Sequence, residues 1–279
     1  MEQWCKLEFE FARRLRESSQ AHRQALYAEA YGRVSALRME AFESTLPKDR
    51  TAGTSPQLVE CLSHLCGVDD KVLEIGCGRG YTCLELAPFV RSIAGTDVAE
   101  PVLKEAKSIL QENRVRNVTI SRVSALKLTD SFKPCSFHTA ISIDLVEHLH
   151  PEDAEIHYAQ VLEVLKDGGQ YIMCLPNRLN GPHDCTRSVY PEAKEALGFH
   201  LNESTYKELI KALKRAGYCD FKAFLLKASP DGTKPQIMPA WWMETVETVY
   251  SAFSGVPQVA WRLQHLLPIR LVAQKGPRK

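Results

Sequence analysis

The 279-residue sequence has almost no net charge, no C-x-x-C pair among its nine cysteines, and no apolar run long enough to cross a bilayer. Each lack excludes a class of function. A formal net charge of +1, from 35 Lys+Arg against 34 Asp+Glu, leaves no basic footprint for a nucleic acid. The scattered cations read as a solvated face, and no nucleic-acid partner is expected. Without paired cysteines a structural zinc site is not expected. Cys5, Cys61, Cys77 and Cys174 fall in apolar or helical surroundings and read as reduced core thiols. With no spanning segment, no membrane partner is expected. Met1-Glu2-Gln3-Trp4 does not begin a signal peptide, so the expected location is cytoplasmic. No internal repeat and no low-complexity segment interrupts a composition, 44% hydrophobic and 25% charged, that supports a sizeable core.

The most informative stretch runs from Lys71 to Val98. Val72, Leu73 and Ile75 suit a short buried strand. Gly76, Gly78 and Gly80, at alternate positions, then break regular structure and bring backbone close to a ligand. Helical spacing from Tyr81 to Phe89 is followed by a second strand, Ser92 to Thr96, that ends at Asp97. A helix N-terminus after a glycine loop favours an anion. A carboxylate at Asp97 is placed to accept both hydroxyl hydrogens of a ribose.

The spacing differs from the dinucleotide pattern G-x-G-x-x-G, because the third glycine comes one residue sooner. Glu74-x-Gly76-x-Gly78-x-Gly80, with Asp97 at the end of the next strand, resembles the first motif of class I S-adenosylmethionine-dependent methyltransferases. That resemblance implies S-adenosyl-L-methionine as cofactor, held by Glu74, Gly76, Cys77, Gly78, Gly80, Asp97 and Val98. In that family an acid after the third strand often meets the adenine amino group. Here the position holds Ser124-Ala125, so Ser124 becomes the expected contact there. Asp144, after the fourth strand, is expected near the methionine end.

Strand and helix segments alternate through the chain, which implies crossover connections and a parallel sheet. Further strands are expected at Val118 to Val123, His138 to Asp144, Gln170 to Leu175, 221–227 and 269–272. The fold class expected is α/β, doubly wound, with a mostly parallel seven-stranded sheet whose last strand returns antiparallel between the fifth and sixth. Residues 1–54 read as an N-terminal helical lid: Leu7, Phe11, Leu15, then Leu26, Val34, Leu37 and Phe42 recur at helical spacing, Ser18-Ser19 marks a break, and Pro47 and Gly53 suit a closing loop. Residues 55–279 read as the methyltransferase domain, with an insertion at 229–266 before the last strand. Asn202-Glu203-Ser204 is expected to cap a helix that ends at Gly217.

Methyl transfer from a sulfonium needs the acceptor held in line with sulfur, and for a hydroxyl acceptor a base such as histidine suits neutral pH. His183, in a long polar loop beside Asp184, and His148 are the candidate catalytic residues, with Asp184 expected to orient His183. Trp241 and Trp242, adjacent in the insertion, are expected to be unequally buried, one of them facing His183 across an acceptor pocket. No metal is expected. The alternative set is Asp144, Glu147 and His148, whose i, i+3, i+4 spacing would share a helical face, and which resembles the E-x-x-E-H group of small-RNA 2′-O-methyltransferases. The function expected is methylation of a small-molecule acceptor, most simply on oxygen. The rivals are a metal-assisted RNA 2′-O-methyltransferase and a non-catalytic nucleoside-binding scaffold of the same fold. Nothing in the sequence fixes the oligomeric state.

Overall fold

The computed structural model describes residues 3–43, 55–228 and 235–277. Its centre is β1 (Lys71–Ile75), flanked in parallel by β2 (Ser92–Asp97) and β4 (Phe137–Ile143). Then come β3 (Val118–Arg122), parallel to β2, and β5 (Leu165–Leu175), parallel to β4. β8 (Ile269–Lys275) lies antiparallel between β5 and β6 (Tyr218–Ala228). β7 (Pro235–Pro239) pairs antiparallel with the outer side of β6. The order β3-β2-β1-β4-β5-β8-β6-β7 therefore contains the seven expected strands and an eighth. The eighth is a short strand closed by a proline at each end, a composition tolerated only at a sheet edge.

Successive strand residues serve two cores, as a period of two requires. Val72, Ile141 and Ile172 pack with Leu58 and Leu62 of α3 (Pro56–Leu65), with Cys83 and Leu86 of α4 (Tyr81–Leu86), and with Leu103 of α5 (Glu100–Glu112). Leu73, Ala140, Tyr171 and Met173 belong to the opposite core. That core holds Tyr158 and Val161 of α6 (Pro151–Val164) and Leu209 and Leu213 of α8 (Tyr206–Ala216). Ser55 caps α3 by accepting from the Leu58 N–H at 3.2 Å, and Gly217, at φ 107°, ends α8.

The N-terminal segment forms α1 (Gln3–Glu17) and α2 (Gln20–Glu43), broken at Ser18-Ser19. The loop expected around Pro47 and Gly53, and the side chain of Phe42, lie outside the described residues. α2 is fixed to α6 by a buried ion pair: Arg23 Nε donates to Asp153 Oδ2 at 2.7 Å, and the Tyr27 hydroxyl donates to the same oxygen at 2.8 Å. Removing one member of such a pair strands a buried charge at a cost of about 3–5 kcal/mol. α1 in turn holds the segment that follows β5. Arg16 donates to the carbonyls of Leu197, Ala196 and Gly198, and Glu8 Oε1 accepts from the Phe199 N–H at 3.2 Å. The two helices and the segment around 177–200 thus form one assembly over the carboxyl ends of the strands.

Candidate active site

The strand order reverses between β1 and β4, and the crevice opens beyond their carboxyl ends, where ligands of doubly wound sheets bind. A cavity of about 510 Å³ lies there. One side is lined by Gly76, Gly78, Asp97, Val98, Ser124, Ala125 and Asp144, and the other by Tyr31, Arg38, His148, His183, Phe199 and His200.

The first side is built from local rules. Gly76, Gly78 and Gly80 have φ of 74°, 51° and 75°, a region that L side chains rarely adopt. The Gly76 and Cys77 N–H groups donate to the Thr96 carbonyl at 2.7 and 2.9 Å, which ties the loop to β2. Asp97 closes it: Oδ2 accepts from the Gly78 N–H at 3.0 Å and Oδ1 from the Ala99 N–H at 2.9 Å. Burial pushes the Asp97 carboxyl up, and the backbone N–H groups of Ala99, Gly78 and Val98 hold it back. The Ser124-Ala125 loop is fixed from below. The Ala125 carbonyl can only accept, so His157 Nδ1 carries the proton it receives at 3.0 Å, and His157 Nε2 accepts from the Tyr171 hydroxyl at 2.7 Å. Burial lowers His157 to about 4, which keeps the ring neutral in that role.

Glu74 stands behind the loop, buried, with the Cys83 thiol donating to its Oε2 at 2.7 Å. It does not reach the cavity wall. Burial raises its carboxyl from 4.5 to about 7. A folded-state value above the unfolded one means stability that is complete below about pH 4.5 and is lost as pH rises through 7. Glu74→Gln, which cannot ionise, is expected to flatten that decline in the ligand-free chain. Urea midpoints at intervals from pH 5 to 8 measure it, and parallel curves for the two proteins would contradict it.

The second side draws on distant segments. The rings of Tyr31 and Phe199 lie 4.6 Å apart, and His148 meets Tyr31 and His200 edge-on at 5.5 and 4.8 Å. Buried Glu203 links two imidazoles: Oε2 meets His183 Nδ1 at 3.3 Å and Oε1 meets His200 Nδ1 at 2.7 Å, while Oε1 also accepts from the His183 backbone N–H at 2.8 Å. Burial would raise the Glu203 carboxyl, but these donors outweigh it and hold the group down at about 2. Burial and the neighbouring His200 lower His148 to about 3, so it is neutral at any working pH.

Several expectations change here. The partner of His183 is Glu203, because Asp184 turns to the N–H groups of Thr186 and His200, at 2.9 and 3.4 Å. The cap of α8 is Thr205, which forms a capping box with Glu208 and releases Glu203 for the histidines. Asp144, Glu147 and His148 do not share a helical face, since Asp144 has φ of 47° and only a short 3-10 turn, Val146–His148, follows it. The group brought beside Glu147 and His148 is His200, more than fifty residues on. Trp241 and Trp242 do not line the cavity. They begin α9 (Trp241–Phe253), stack on each other at 5.3 Å, and are 58% and 52% exposed, while Met243 is buried. The apolar wall expected from a tryptophan is supplied by Tyr31 and Phe199. Glu203 and Phe199 are the residues here that the sequence did not single out; the His200-x-x-Glu203 spacing was the available signal.

A glycine loop, a strand-end acid and a crevice at the switch point define a nucleoside-binding α/β domain. Residues 72–169 match the methyltransferase domain family. A probable S-adenosylmethionine-dependent methyltransferase of Mycolicibacterium smegmatis is 27% identical over 157 residues, 56% of this chain and 54% of that protein. A ubiquinone biosynthesis O-methyltransferase of Albidiferax ferrireducens is 28% identical over 166 residues, 59% of this chain and 64% of that protein. Among solved structures, the YcgJ protein of Bacillus subtilis superposes with a TM-score of 0.52 at 18% identity, covering 80% of this chain and 98% of that one. Residues 72–169 are thus a methyltransferase domain, set in the fold of class I S-adenosylmethionine-dependent methyltransferases. The chain's match spans about half the length of the Mycolicibacterium relative. No helix among the described residues is long and apolar enough to cross a membrane.

The residues fit the family's cofactor. A Cβ built on Gly78 would meet nothing within 4 Å, so the space beside that backbone is open cavity, and the Asp97 carboxylate lies in the same wall.

Proposed function

We propose that this chain transfers the methyl group of S-adenosylmethionine to a hydroxyl of a small, partly aromatic or apolar acceptor. The observation that carries the reading is one shared cavity: the glycine loop and Asp97 line one side of it, and Tyr31, Phe199, His148 and His183 line the other. Its volume of about 510 Å³ suits small ligands, whose sites span roughly 300–1,000 Å³. α1 and α2 contribute Glu8, Tyr27, Tyr31, Val34 and Arg38 to the cavity lining. The likeness to an O-methyltransferase of ubiquinone biosynthesis supports oxygen as the methylated atom.

The cofactor supplies an electrophilic methyl on a sulfonium. With that electrophile bound, an acceptor hydroxyl held in line with it would be methylated at oxygen, and its proton would go to His183. Glu203 holds His183 through Nδ1, which leaves Nε2 to receive that proton. Tyr31 and Phe199 exclude water and hold the acceptor's apolar face.

The test begins with calorimetry. Asp97→Ala removes charge-assisted acceptors worth roughly 1.5–3 kcal/mol, so S-adenosylmethionine should bind about tenfold to a hundredfold more weakly. An affinity within about twofold of wild type would mean that Asp97 does not hold the ribose. Labelled methyl from the cofactor is then offered to pooled hydroxylated, amine and nucleic-acid acceptors. Label on small hydroxylated compounds, lost in His183→Gln, is expected. Label only on amines or RNA would overturn the acceptor class.

A further inference from the structure

Beneath the acceptor side of the cavity, Glu147 is completely buried, and no basic, amide or hydroxyl side chain donates to either of its carboxylate oxygens. A buried ionisable group without such a donor is costly unless something else compensates it. Its polar neighbour on the same loop is Asp144, a second carboxyl group within hydrogen-bonding reach, and two carboxyl groups so close must share a proton or face a cation. Facing it are two imidazoles, and one ligand atom from each of Glu147, His148 and His200 falls within 4.8 Å of the others.

The tautomers of both rings follow from what stands behind them. His148 Nδ1 lies 3.2 Å from the Phe199 carbonyl, which only accepts, so Nδ1 carries the proton and Nε2 a lone pair. His200 Nδ1 lies 2.7 Å from Glu203 Oε1, and the same logic applies. A ring whose far nitrogen donates to a carboxylate or a carbonyl is the usual support of a metal-ligating histidine. These supports come from the α1-braced segment and the loop before α8, far from Glu147 in sequence, so the cluster is made by the tertiary fold.

We propose that Glu147, His148 and His200 form a binding site for one divalent first-row transition ion, with Glu203 holding His200 from behind. Two imidazoles with a carboxylate suit ions from Mn²⁺ to Zn²⁺, whereas Mg²⁺ and Ca²⁺ prefer all-oxygen sets. Because His148 and His200 line the acceptor side, the ion would face the acceptor oxygen, where a Lewis acid lowers the pKa of a hydroxyl. That role rests on the methyl-transfer reading; the binding of the ion does not.

The full chain, stripped with chelator, is titrated with Mn²⁺ by calorimetry and with Co²⁺ by visible absorption, and S-adenosylmethionine is titrated separately on the same sample. One equivalent of Mn²⁺ should bind, and Co²⁺ should give d–d bands without thiolate charge transfer. Glu147→Gln and His200→Ala should each remove both signals in the same titrations. Glu147→Gln should fold at least as well as wild type, because it replaces a buried carboxyl group beside Asp144 with a neutral isostere. Absence of Mn²⁺ and Co²⁺ binding to the wild-type chain overturns the site, as does equal binding by both variants or a Co²⁺ spectrum dominated by cysteine sulfur. Cofactor binding without metal binding rejects the ion and leaves the methyl-transfer reading standing. Metal binding without cofactor binding does the reverse.

Discussion

Gly78→Val is expected to abolish binding of S-adenosylmethionine while the chain remains folded. The three glycines of the loop share a left-handed backbone and differ in what surrounds them. A Cβ on Gly76 would lie 3.0 Å from Leu145 Cδ1, and one on Gly80 3.0 Å from Ala106 Cβ, so those two positions are restricted by the protein itself. A Cβ on Gly78 would meet no protein atom within 4 Å. A side chain there has only ligand space to fill. The left-handed conformation costs an L residue roughly 1–2 kcal/mol, against a typical domain stability of about 5–15 kcal/mol. Gly78→Ala carries the backbone cost with a smaller obstruction, so the pair separates strain from blockage. Both variants should melt cooperatively a few degrees below wild type. Calorimetry should find weakened binding for Gly78→Ala and none for Gly78→Val. If Gly78→Val binds the cofactor within about tenfold of wild type, the loop does not face the ligand.

The cofactor half of this site was legible in the sequence because local chemistry specifies it. Alternate glycines have one economical use, Asp97 ends a strand whose length is set by its apolar residues, and β1, β2, β4 and β5 announce themselves by burial on both faces. The acceptor half is made by contacts between remote segments, which periodicity does not encode. Glu203 looked like part of a helix cap because Asn202-Glu203-Ser204 has the right composition, yet the cap begins at Thr205. His183 and Asp184 are adjacent, and adjacency in a loop gives no reason for two side chains to meet; the geometry sends Asp184 to His200 and Thr186. The adjacent tryptophans were expected to differ in burial, but α9 meets the domain through Met243 and Glu247 and leaves both indoles outside. β7 escaped notice because Gln236-Ile237-Met238 between two prolines is too short to show an alternation.

Glu203 is where these remote contacts converge, and Glu203→Ala is expected to lower turnover about 10²–10⁴-fold while cofactor affinity stays at the wild-type value. The carboxylate touches neither the glycine loop nor Asp97, so the cofactor half should not respond. On the acceptor side it is ionised at every working pH, held down at about 2 by the His183 and His200 donors. Its two oxygens fix the tautomer and orientation of both imidazoles at once. Without it each ring can exchange the nitrogen it presents, and the His183 backbone N–H loses its acceptor, which costs roughly 1–3 kcal/mol. A merely structural role would lower stability and leave the turnover of the folded fraction intact. A positioning role lowers kcat in protein shown to be folded, with a smaller change in acceptor KM, and Glu203→Gln should recover part of it, since one amide oxygen can still accept from one ring. Steady-state kinetics with the acceptor identified by label transfer would decide. A Glu203→Ala protein with wild-type kcat would remove His183 and His200 from the chemistry and leave the Tyr31–Phe199 wall as the part of the acceptor side still open to test.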